Sequence, residues 1–420
     1  MKQEVLKNYA KAVAIGAYDL HSAGLFGKHD NVRRHWEDRF SRNFIGHFIS
    51  PLVASKRQSG TGIRVLDLGC GAGEGLNILT SLPQTQATLD AKIEKVLDYQ
   101  DISCYKGLDI SPAMIDKAKD LHRNHLQAEF AVTDLKDGLQ LPTGELAYDI
   151  YFSSYGSLSH LNDSNLATVL SDICDHMEER AIFVGDFLGR YSYEWPCYWE
   201  SFQENGSTQN IYSMSYIYGP DPGKDEVEQF PIRYWGGEEL DRFVSKTVAS
   251  KGVKVYRRRL CDRSILVGRH MDTREYNPDA PPIRAAVNSL HETNCRTDLS
   301  QLIFEYKPHG TTLHLNRFFY TLQDAWNSLV YACMDALAEW RNPPKLVAEP
   351  LVSYQPVVQQ AIRRIRHGVQ QAPEFHLDDP RSNLIEPQLA FLLRDLEWNL
   401  QQGLGAAHSI LGVYEFHKVE

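Results

Sequence analysis

The chain has 420 residues, of which 43% are hydrophobic and 11% aromatic. This length exceeds one ordinary hydrophobic core, and this composition is typical of a folded protein rather than a disordered one. Lys and Arg number 44 against 54 for Asp and Glu, so the net charge is −10, which argues against a nucleic-acid backbone as the main partner.

The cysteines and the N-terminal residues bear on the compartment of the protein. Seven cysteines are scattered without a Cys-x-x-Cys pair, which predicts neither a zinc site nor a disulfide framework. Residues 1–7 are too polar for a secretory signal, and the chain has no run of about 18 apolar residues. We therefore expect a cytoplasmic protein with reduced thiols, no bound metal and no membrane contact.

Residues 1–55 are predicted to form an N-terminal helical cap. An apolar stripe repeats at intervals of four residues, which is the spacing of one helix face. It consists of Trp36, Phe40, Phe44, Phe48 and Leu52. The sheet of the protein is expected to begin after this cap.

A strand followed by a glycine-rich turn comes next. Residues 63–68 are mostly apolar and branched, which predicts a strand buried in a parallel sheet. Glycines then occupy positions 69, 71 and 73, before residues 76–79, which can begin a helix. Such glycines let the backbone turn sharply and let a ligand lie against it, and the helix N-terminus offers unpaired N–H groups. The pattern predicts a nucleotide-like ligand.

The spacing of this turn distinguishes between nucleotide-like ligands. The dinucleotide fingerprint Gly-x-Gly-x-x-Gly fails in both registers, because its last position is Glu74 or Leu76. The pattern that does fit is an acid followed by alternate glycines, Asp67-x-Gly69-Cys70-Gly71-x-Gly73. It resembles the first motif of the class I S-adenosylmethionine (SAM) dependent methyltransferases. The resemblance implies that this acid and loop meet the methionine amine and backbone of SAM, since a carboxylate attracts an ammonium group.

The second predicted strand covers residues 104–111. Asp109 lies near its end, and the resemblance implies that this carboxylate accepts hydrogen bonds from both ribose hydroxyls of SAM, beside Ile110. Ser111 and Pro112 are a good N-cap and first residue for the next helix, which carries Met114. The interval from the glycine loop to Asp109 exceeds the roughly 20 residues of a typical nucleotide-binding βαβ unit, so an insertion is expected around residues 84–101.

The third predicted strand, residues 128–132, is followed by Asp134 and Leu135. In the family that this chain resembles, an acid here accepts a hydrogen bond from the adenine amine, and the next backbone N–H serves a ring nitrogen. An ordinary loop aspartate is the alternative interpretation of Asp134.

The fourth predicted strand ends in Ser153 and Ser154, which we assign to the SAM site. The Asn-Pro-Pro-Tyr clamp of nucleic-acid methyltransferases is absent here, and the segment is similar to small-molecule methyltransferases instead. Tyr155 and His160 are the candidate catalytic residues, and His160 could remove a proton from an attacking hydroxyl or amine. A structural hydrogen-bond donor is the alternative role for His160.

After a fifth strand at residues 181–187, the segment 190–235 carries twelve aromatic residues. Aromatic walls suit a flat or amphipathic acceptor, and the family commonly inserts its substrate-binding element at this point. The candidate substrate-binding residues are Tyr191, Trp195, Tyr198 and Trp199 here, with Tyr18 and Trp36 from the N-terminal cap. A small β-rich cover that packs on itself is the alternative for this segment.

The rest of the chain completes the predicted sheet and then becomes helical. Strands at residues 253–256 and 264–268 are expected to close a methyltransferase domain that spans 56–272. A Pro-rich linker follows at 277–282. Residues 283–420 are predicted to be a mainly helical extension that caps the site, docks a partner or forms a homo-oligomer.

The expected fold class is α/β, a Rossmann-like seven-stranded mostly parallel sheet with helices on both faces, an N-terminal helical lid and the C-terminal helical extension. The resemblance implies an enzyme that transfers a methyl group from SAM to an O or N atom of an aromatic or amphipathic small molecule, with S-adenosylhomocysteine (SAH) as product. Two alternatives are a catalytically silent SAM-binding interaction protein and a nucleic-acid methyltransferase of the RNA-cap type.

Overall fold

The computed structural model describes residues 10, 13–14, 16, 29–84, 95–200, 208–217, 227–310, 312–339, 355–372 and 378–419. A nine-stranded sheet forms the centre of this part of the chain, with helices packed around it. In the described ranges, no helix has the length and apolar character needed to cross a membrane.

The first five strands are parallel neighbours. They are β1 (Ile63–Leu68), β2 (Ile102–Asp109), β3 (Ala128–Val132), β4 (Ile150–Ser153) and β5 (Arg180–Gly189). Their order across the sheet is β3-β2-β1-β4-β5, with every pair parallel. The direction of winding reverses between β1 and β4, where open α/β sheets bind ligands beyond the carboxyl ends of the strands. The predicted Rossmann-like fold is confirmed.

Helices cover this sheet on both faces. They are α1 (Asp38–Ser59), which follows a single π-helical turn at Arg33–Glu37, α2 (Glu74–Leu79), α3 (Pro112–Leu121), α4 (Asp163–His176) and α5 (Gly237–Ala249). Helix α3 begins as predicted, because the Ser111 side chain accepts a hydrogen bond from Met114 N at 3.4 Å and Pro112 is the first helical residue.

A hairpin follows β5 in the aromatic segment. It consists of β6 (Gln209–Ser213) and β7 (Gln229–Trp235), which are antiparallel to each other. The end of β7 pairs in parallel with the last two residues of β5, Leu188 and Gly189. The hairpin is therefore an extension of the main sheet at the edge where the parallel strands end.

The last strand of the sheet comes from the C-terminus of the chain. Strand β9 (Ser409–Lys418) lies between β5 and β8 (Val253–Arg263) and is antiparallel to both. The predicted strand at residues 264–268 is wrong. Its apolar residues are buried, but the backbone N–H groups of Ile265 and Leu266 donate to the Glu397 carboxylate instead of to a neighbouring strand.

The helical region is therefore an insertion between β8 and β9 rather than a separate extension. Its helices are α6 (Arg269–Thr273), α7 (Ile283–Ser289), α8 (Leu313–Glu339), α9 (Pro356–Gln371) and α10 (Glu386–Leu400), with a π-helical turn at Arg381–Ile385 before α10. The predicted boundaries at residues 272 and 283 separate two strands that the sheet joins. Short 3-10 turns occur at Tyr99–Asp101, Leu135–Asp137, Ser157–His160, Pro196–Tyr198, Ser215–Ile217 and Leu299–Leu302.

The N-terminal helices and the insertion share one hydrophobic core. Buried polar contacts join them: Arg284 donates to Asp30 Oδ2 and to Glu37 Oε1, both at 2.7 Å. The indole Nε1 of Trp36 donates to Glu397 Oε2 at 2.9 Å. Because buried charges need such partners, these pairs fix the start of α1 at one end of the parallel strands.

Candidate active site

A cavity of about 410 Å³ opens at the carboxyl ends of the parallel strands. Its walls include Gly69 after β1, Asp109 at the end of β2, Ser154 after β4 and Leu188 in β5. Cavities of roughly 300–1,000 Å³ are the usual size of small-molecule sites. The cavity lies where the strand order predicts a ligand site.

The glycine loop after β1 forms one wall of this cavity. Gly69, Gly71 and Gly73 have φ values of +72°, +53° and +84°, which disfavour any side chain. A Cβ on Gly69 would lie 2.5 Å from the Cβ of Ser157, whose Oγ donates to Gly69 O at 2.8 Å. A Cβ on Gly71 would meet no atom within 4 Å. The loop therefore packs against the turn after β4 at Gly69 and has open space beside Gly71.

Asp109 is held at this wall by backbone donors. Its Oδ2 accepts from Gly71 N at 2.9 Å, and its Oδ1 accepts from Ser111 N at 2.8 Å. Each carboxylate oxygen can accept a further hydrogen bond. The carboxylate thus links the glycine loop to the start of α3 and lines the cavity.

Most of the predicted cofactor residues line this cavity. They are Gly69, Cys70, Gly71, Asp109, Ile110, Met114, Asp134, Leu135 and Ser154. Asp134 caps the 3-10 turn after β3, where its Oδ1 accepts from Lys136 N at 3.2 Å. The structure does not bring Asp67, Gly73 or Ser153 to the cavity wall.

Asp67 lies behind the glycine loop and is fully buried. Its Oδ2 accepts a short hydrogen bond from the Tyr105 hydroxyl, and a Cβ on Gly75 would lie 2.2 Å from this same oxygen. Its Oδ1 has no hydrogen-bond partner among the described residues. Burial raises the pKa of Asp67 to about 7. The predicted direct contact between Asp67 and a ligand amine is not part of this geometry.

The raised pKa of Asp67 predicts a pH-dependent stability. The folded pKa is about 7 and the ordinary value is 3.8, so between these values the folded chain retains a proton that the unfolded chain releases. Stability therefore falls as pH rises through this window, by about 4 kcal/mol in total. The Asp67→Asn variant keeps an acceptor for Tyr105 but has no carboxyl group, so its stability should not fall in this way as pH rises. Urea unfolding of the wild type and of Asp67→Asn from pH 4 to pH 8 measures this effect. If the difference in unfolding free energy between the two proteins stays constant with pH, the raised pKa of Asp67 is contradicted.

Both candidate catalytic residues line the cavity. Tyr155 has φ +55°, and its hydroxyl donates to Asp38 Oδ1 at 2.8 Å. The guanidinium of Arg33 lies 3.9 Å from the centre of its ring. Burial raises the pKa of Tyr155 well above its ordinary value, so the phenol stays protonated. His160 packs 4.9 Å from the ring centre of Phe230, and burial lowers the pKa of His160 to about 4.

The predicted substrate-binding aromatics pack inside the protein instead of lining the cavity. Trp195 donates to Gly189 O at 2.8 Å, Trp199 to Ser192 O at 2.8 Å and Tyr198 to Ile211 O at 2.9 Å. Trp36 belongs to the buried core, Tyr191 packs against that core, and Tyr18 lies outside the described residues. The indole N–H groups of the three tryptophans and the Tyr198 hydroxyl thus have hydrogen-bond partners within the fold.

The same segment still contributes to the site, through its hairpin. The residues of this region that line the cavity are Gln209, Tyr212, Met214, Tyr216, Phe230, Pro231 and Ile232. These side chains are mostly apolar or aromatic. The part of this segment that lines the cavity is therefore β6, β7 and the turn after β6 rather than residues 191–199.

Charged residues that sequence reasoning did not assign form the remaining wall. They are Arg33, Glu37, Glu74, Arg263, Arg269 and His408. Arg33 pairs with Glu74 at 3.1 Å, and Arg263 pairs with Asp186 at 2.5 Å. These residues come from the cap, from the start of α2, from both ends of the 264–268 segment and from the residue before β9, so no single local motif predicts the cluster.

No group of three or more His, Cys, Asp or Glu residues is arranged to hold a metal ion in the ranges that the structure covers.

One segment of the chain matches a known protein family. Residues 65–180 match the family model described as a methyltransferase domain, whereas no curated protein sequence matches the chain. The chain is similar to the crystal structure of magnesium protoporphyrin IX methyltransferase (ChlM) from Synechocystis PCC 6803 with bound SAH: identity is 16%, coverage is 61% of this chain and 92% of that chain, and the TM-score is 0.33.

Two further solved structures show similar values. The CcbJ methyltransferase from Streptomyces caelestis has 14% identity over 60% of this chain and 89% of that chain, with a TM-score of 0.35. A SAM-dependent methyltransferase from Methanosarcina mazei has 15% identity over 48% of this chain and 84% of that chain, with a TM-score of 0.34.

The segment that matches the family model contains the acid-and-glycine loop together with Asp109 and Asp134. In the fold, these elements follow the three adjacent parallel strands β1, β2 and β3. Residues 65–180 match a methyltransferase domain, and this match is consistent with the class I SAM-dependent methyltransferases that the sequence resembles.

Proposed function

We propose that this protein transfers a methyl group from SAM to an oxygen or nitrogen atom of a small molecule. The observation that carries the proposal is one cavity with two chemically different ends. One end presents the glycine loop, Asp109 and Asp134. The other presents the apolar hairpin and the arginine-containing wall, which suits an acceptor rather than a nucleoside.

The first end fits the nucleoside and amino-acid parts of SAM. The open space beside Gly71 leaves room for a ligand to approach the backbone. Asp109, which lines the cavity, would accept hydrogen bonds from the ribose hydroxyls. Asp134 would accept from the adenine amine, and the backbone N–H of Leu135 would donate to the ring.

The charge of the cofactor gives Asp67 a role at a distance. SAM carries a positive sulfonium and an ammonium group, and these charges favour the ionised form of the buried Asp67 behind the loop, which then attracts them through the low-dielectric interior. We therefore assign Asp67 an electrostatic role together with Asp109 and Glu74, and not a direct hydrogen bond to the ligand.

The second end would hold the acceptor and exclude water. Tyr212, Met214, Phe230 and Ile232 supply an apolar surface along the hairpin. SAM, when bound, supplies a methyl carbon that is already electrophilic. The protein therefore has to place the acceptor lone pair in line with the S–CH3 bond and keep water away.

Transfer of labelled methyl groups tests this function. The purified protein is incubated with SAM labelled on its methyl carbon and a cellular metabolite extract, and products are separated by liquid chromatography. We expect label in a small molecule, and no label when Asp109→Ala replaces the wild type. Incorporation only into protein or nucleic acid, or no incorporation at all, would contradict the proposal.

A further inference from the structure

A histidine and a glutamate from distant parts of the chain meet at the cavity wall. His408 Nδ1 lies 2.8 Å from Glu194 Oε2. Glu194 is fully buried, whereas the His408 side chain keeps 11% exposure and lines the cavity. Neither residue has a role in the cofactor site described above.

The surroundings of Glu194 determine which nitrogen of His408 carries the proton. Glu194 Oε1 accepts from His270 N, and Oε2 also accepts from the Ser192 hydroxyl at 3.1 Å. Burial raises the pKa of Glu194, but the charge and hydrogen bond of His408 outweigh it and hold this pKa below its ordinary value. An ionised carboxylate only accepts hydrogen bonds. His408 Nδ1 must therefore donate, and in the neutral ring the lone pair is on Nε2.

The other ring nitrogen of His408, Nε2, is available to a ligand. It has no hydrogen-bond partner among the described residues and is not among their fully buried unpaired atoms. The backbone of His408 is fixed on both sides, because its N donates to Ser264 O at 3.1 Å and its O accepts from Gly189 N at 3.2 Å. The ring is thus held by its backbone and by Glu194, with one basic nitrogen not engaged by the fold.

The pair lies beside the strands that lead into the cofactor end. Ser409 pairs with Leu188 of β5, and both residues line the cavity. A Cβ on Gly156, in the turn after β4, would lie 3.4 Å from the Leu188 side chain. That turn also contacts Gly69 of the glycine loop through Ser157. His408 therefore lies one strand away from the turn that separates the two ends of the cavity.

We propose that His408 is the general base of the reaction, positioned by Glu194, and that the acceptor is a hydroxyl group that loses its proton to His408 Nε2. This assignment rests on the proposed methyl transfer and narrows its acceptor from oxygen or nitrogen to oxygen.

The step balances in atoms and charge. The hydroxyl oxygen forms a bond to the methyl carbon of SAM, the carbon–sulfur bond breaks with its electron pair going to sulfur, and the hydroxyl proton passes to Nε2. The products are a methyl ether, SAH and an imidazolium ring. The Glu194 carboxylate stabilises that ring, as an acid partner does in other histidine dyads. The proton then leaves to solvent.

The other candidates in the cavity suit this role less well. Tyr155 stays protonated and already donates to Asp38. His160 has a pKa of about 4, and a general base works best when its pKa is near the working pH. A histidine oriented by a buried carboxylate meets the geometric requirement directly.

Four titratable groups face His408 and bear on its pH dependence. They are Glu194, His270 on α6, Asp186 on β5 and Glu37 before α1. Burial lowers the pKa of His270 to about 3, so His270 stays neutral above that pH. A general base acts only in its unprotonated form, so the pH profile of the rate is part of the test below.

Matched histidine variants test the assignment. His408→Gln should lower the rate of label transfer from methyl-labelled SAM to the extract by about 10²- to 10⁴-fold, with SAH affinity by calorimetry changed by less than about threefold. Glu194→Gln should lower the rate by at least about tenfold and shift the pH profile, since it removes the orienting carboxylate. His47→Gln, on the exposed face of α1, is the control for a histidine substitution.

A spectroscopic measurement reports on the pair without turnover. Protein with 15N-labelled histidine should show a low-field Nδ1–H resonance that disappears in both His408→Gln and Glu194→Gln and persists in His47→Gln. Its absence from the wild type would overturn the assignment.

The outcomes separate the two claims. If the wild type binds no SAH, the proposed function fails, and this assignment falls with it. If the wild type transfers label and His408→Gln does so at the same rate, or if the label is on nitrogen, only the assignment of His408 is overturned. Should His408→Gln fail to bind SAH, the Glu194→Gln variant tests the assignment instead. An unchanged rate and pH profile in Glu194→Gln would then overturn it.

Discussion

A chain that ends after residue 408 should fail to fold, because it lacks β9. This strand pairs with β5 along residues 409–417 and with β8 along residues 409–418. Its buried apolar side chains are Ile410, Leu411, Val413, Tyr414 and Phe416, each at most 3% exposed. At roughly 1.5–3 kcal/mol for each side chain, their burial contributes about 8–15 kcal/mol, which is comparable to the whole stability of a typical domain.

The truncated chain is expected to be insoluble, or to unfold without a cooperative transition in circular dichroism. The matched control is a chain that ends at residue 418. Val419 is 60% exposed in the full protein, so this control chain should retain a sharp unfolding transition. A fragment ending at residue 408 that unfolds cooperatively and binds SAH would show that β9 is not needed for the sheet.

Asp109→Ala is expected to weaken SAH binding by about 10²- to 10³-fold. The carboxylate accepts from Gly71 N and Ser111 N, and in the proposed complex it also accepts from two ribose hydroxyls. Hydrogen bonds to a charged group contribute about 1.5–3 kcal/mol each, so the loss of two ligand contacts near the lower end of that range costs about 3–4 kcal/mol.

Glu74→Ala is the matched control for Asp109→Ala. Glu74 also lines the cavity, but its carboxylate pairs with Arg33 at 3.1 Å and lies 3.6 Å from His29. Calorimetric titration with SAH should give a loss for Glu74→Ala that is much smaller than the loss for Asp109→Ala. Equal losses would mean that Asp109 is not the ribose carboxylate.

The cofactor end of the cavity could be predicted because its signals are local. A strand, a turn with positive φ at Gly69, Gly71 and Gly73, and a helix lie within about 20 consecutive residues. Asp109 likewise lies two residues before Ser111, the N-cap of α3. Parallel strands then bring such turns to one edge of the sheet, so each motif could be placed without knowledge of distant contacts.

The contact made by the Asp67 side chain could not be predicted from the motif that contains it. The acid and the glycines are adjacent in sequence, but the strand alternates its side chains between the two faces of the sheet. Asp67 is directed behind the loop to Tyr105. The motif predicted the loop correctly, and the contact of one side chain depended on packing that a motif does not specify.

The last strand could not be predicted because its signal was duplicated. Residues 264–268 and 409–418 are both apolar runs, and the first lies where the chain order of the predicted fold expects the last strand. The choice between them depends on pairing across about 150 residues and on Glu397, which binds the N–H groups of Ile265 and Leu266. No local pattern reports such contacts.

For a related reason, the sequence could not show which aromatic residues of the segment 190–235 line the cavity. Trp195 and Trp199 each have one N–H group, and a nearby carbonyl oxygen satisfies it. Composition alone cannot distinguish a tryptophan that packs in this way from one that faces a ligand. His408 was missed because it directly precedes β9, in the region that was predicted to be a helical extension.

A crystal structure of the full chain with SAH tests the central claim most directly. We expect SAH in the cavity at the carboxyl ends of β1, β2 and β3. Its ribose hydroxyls should bind Asp109, its adenine should lie beside Asp134, and its amino-acid part should lie along Gly69–Gly71. SAH bound elsewhere, or bound in this cavity with Asp109 turned away from the ribose, would contradict it.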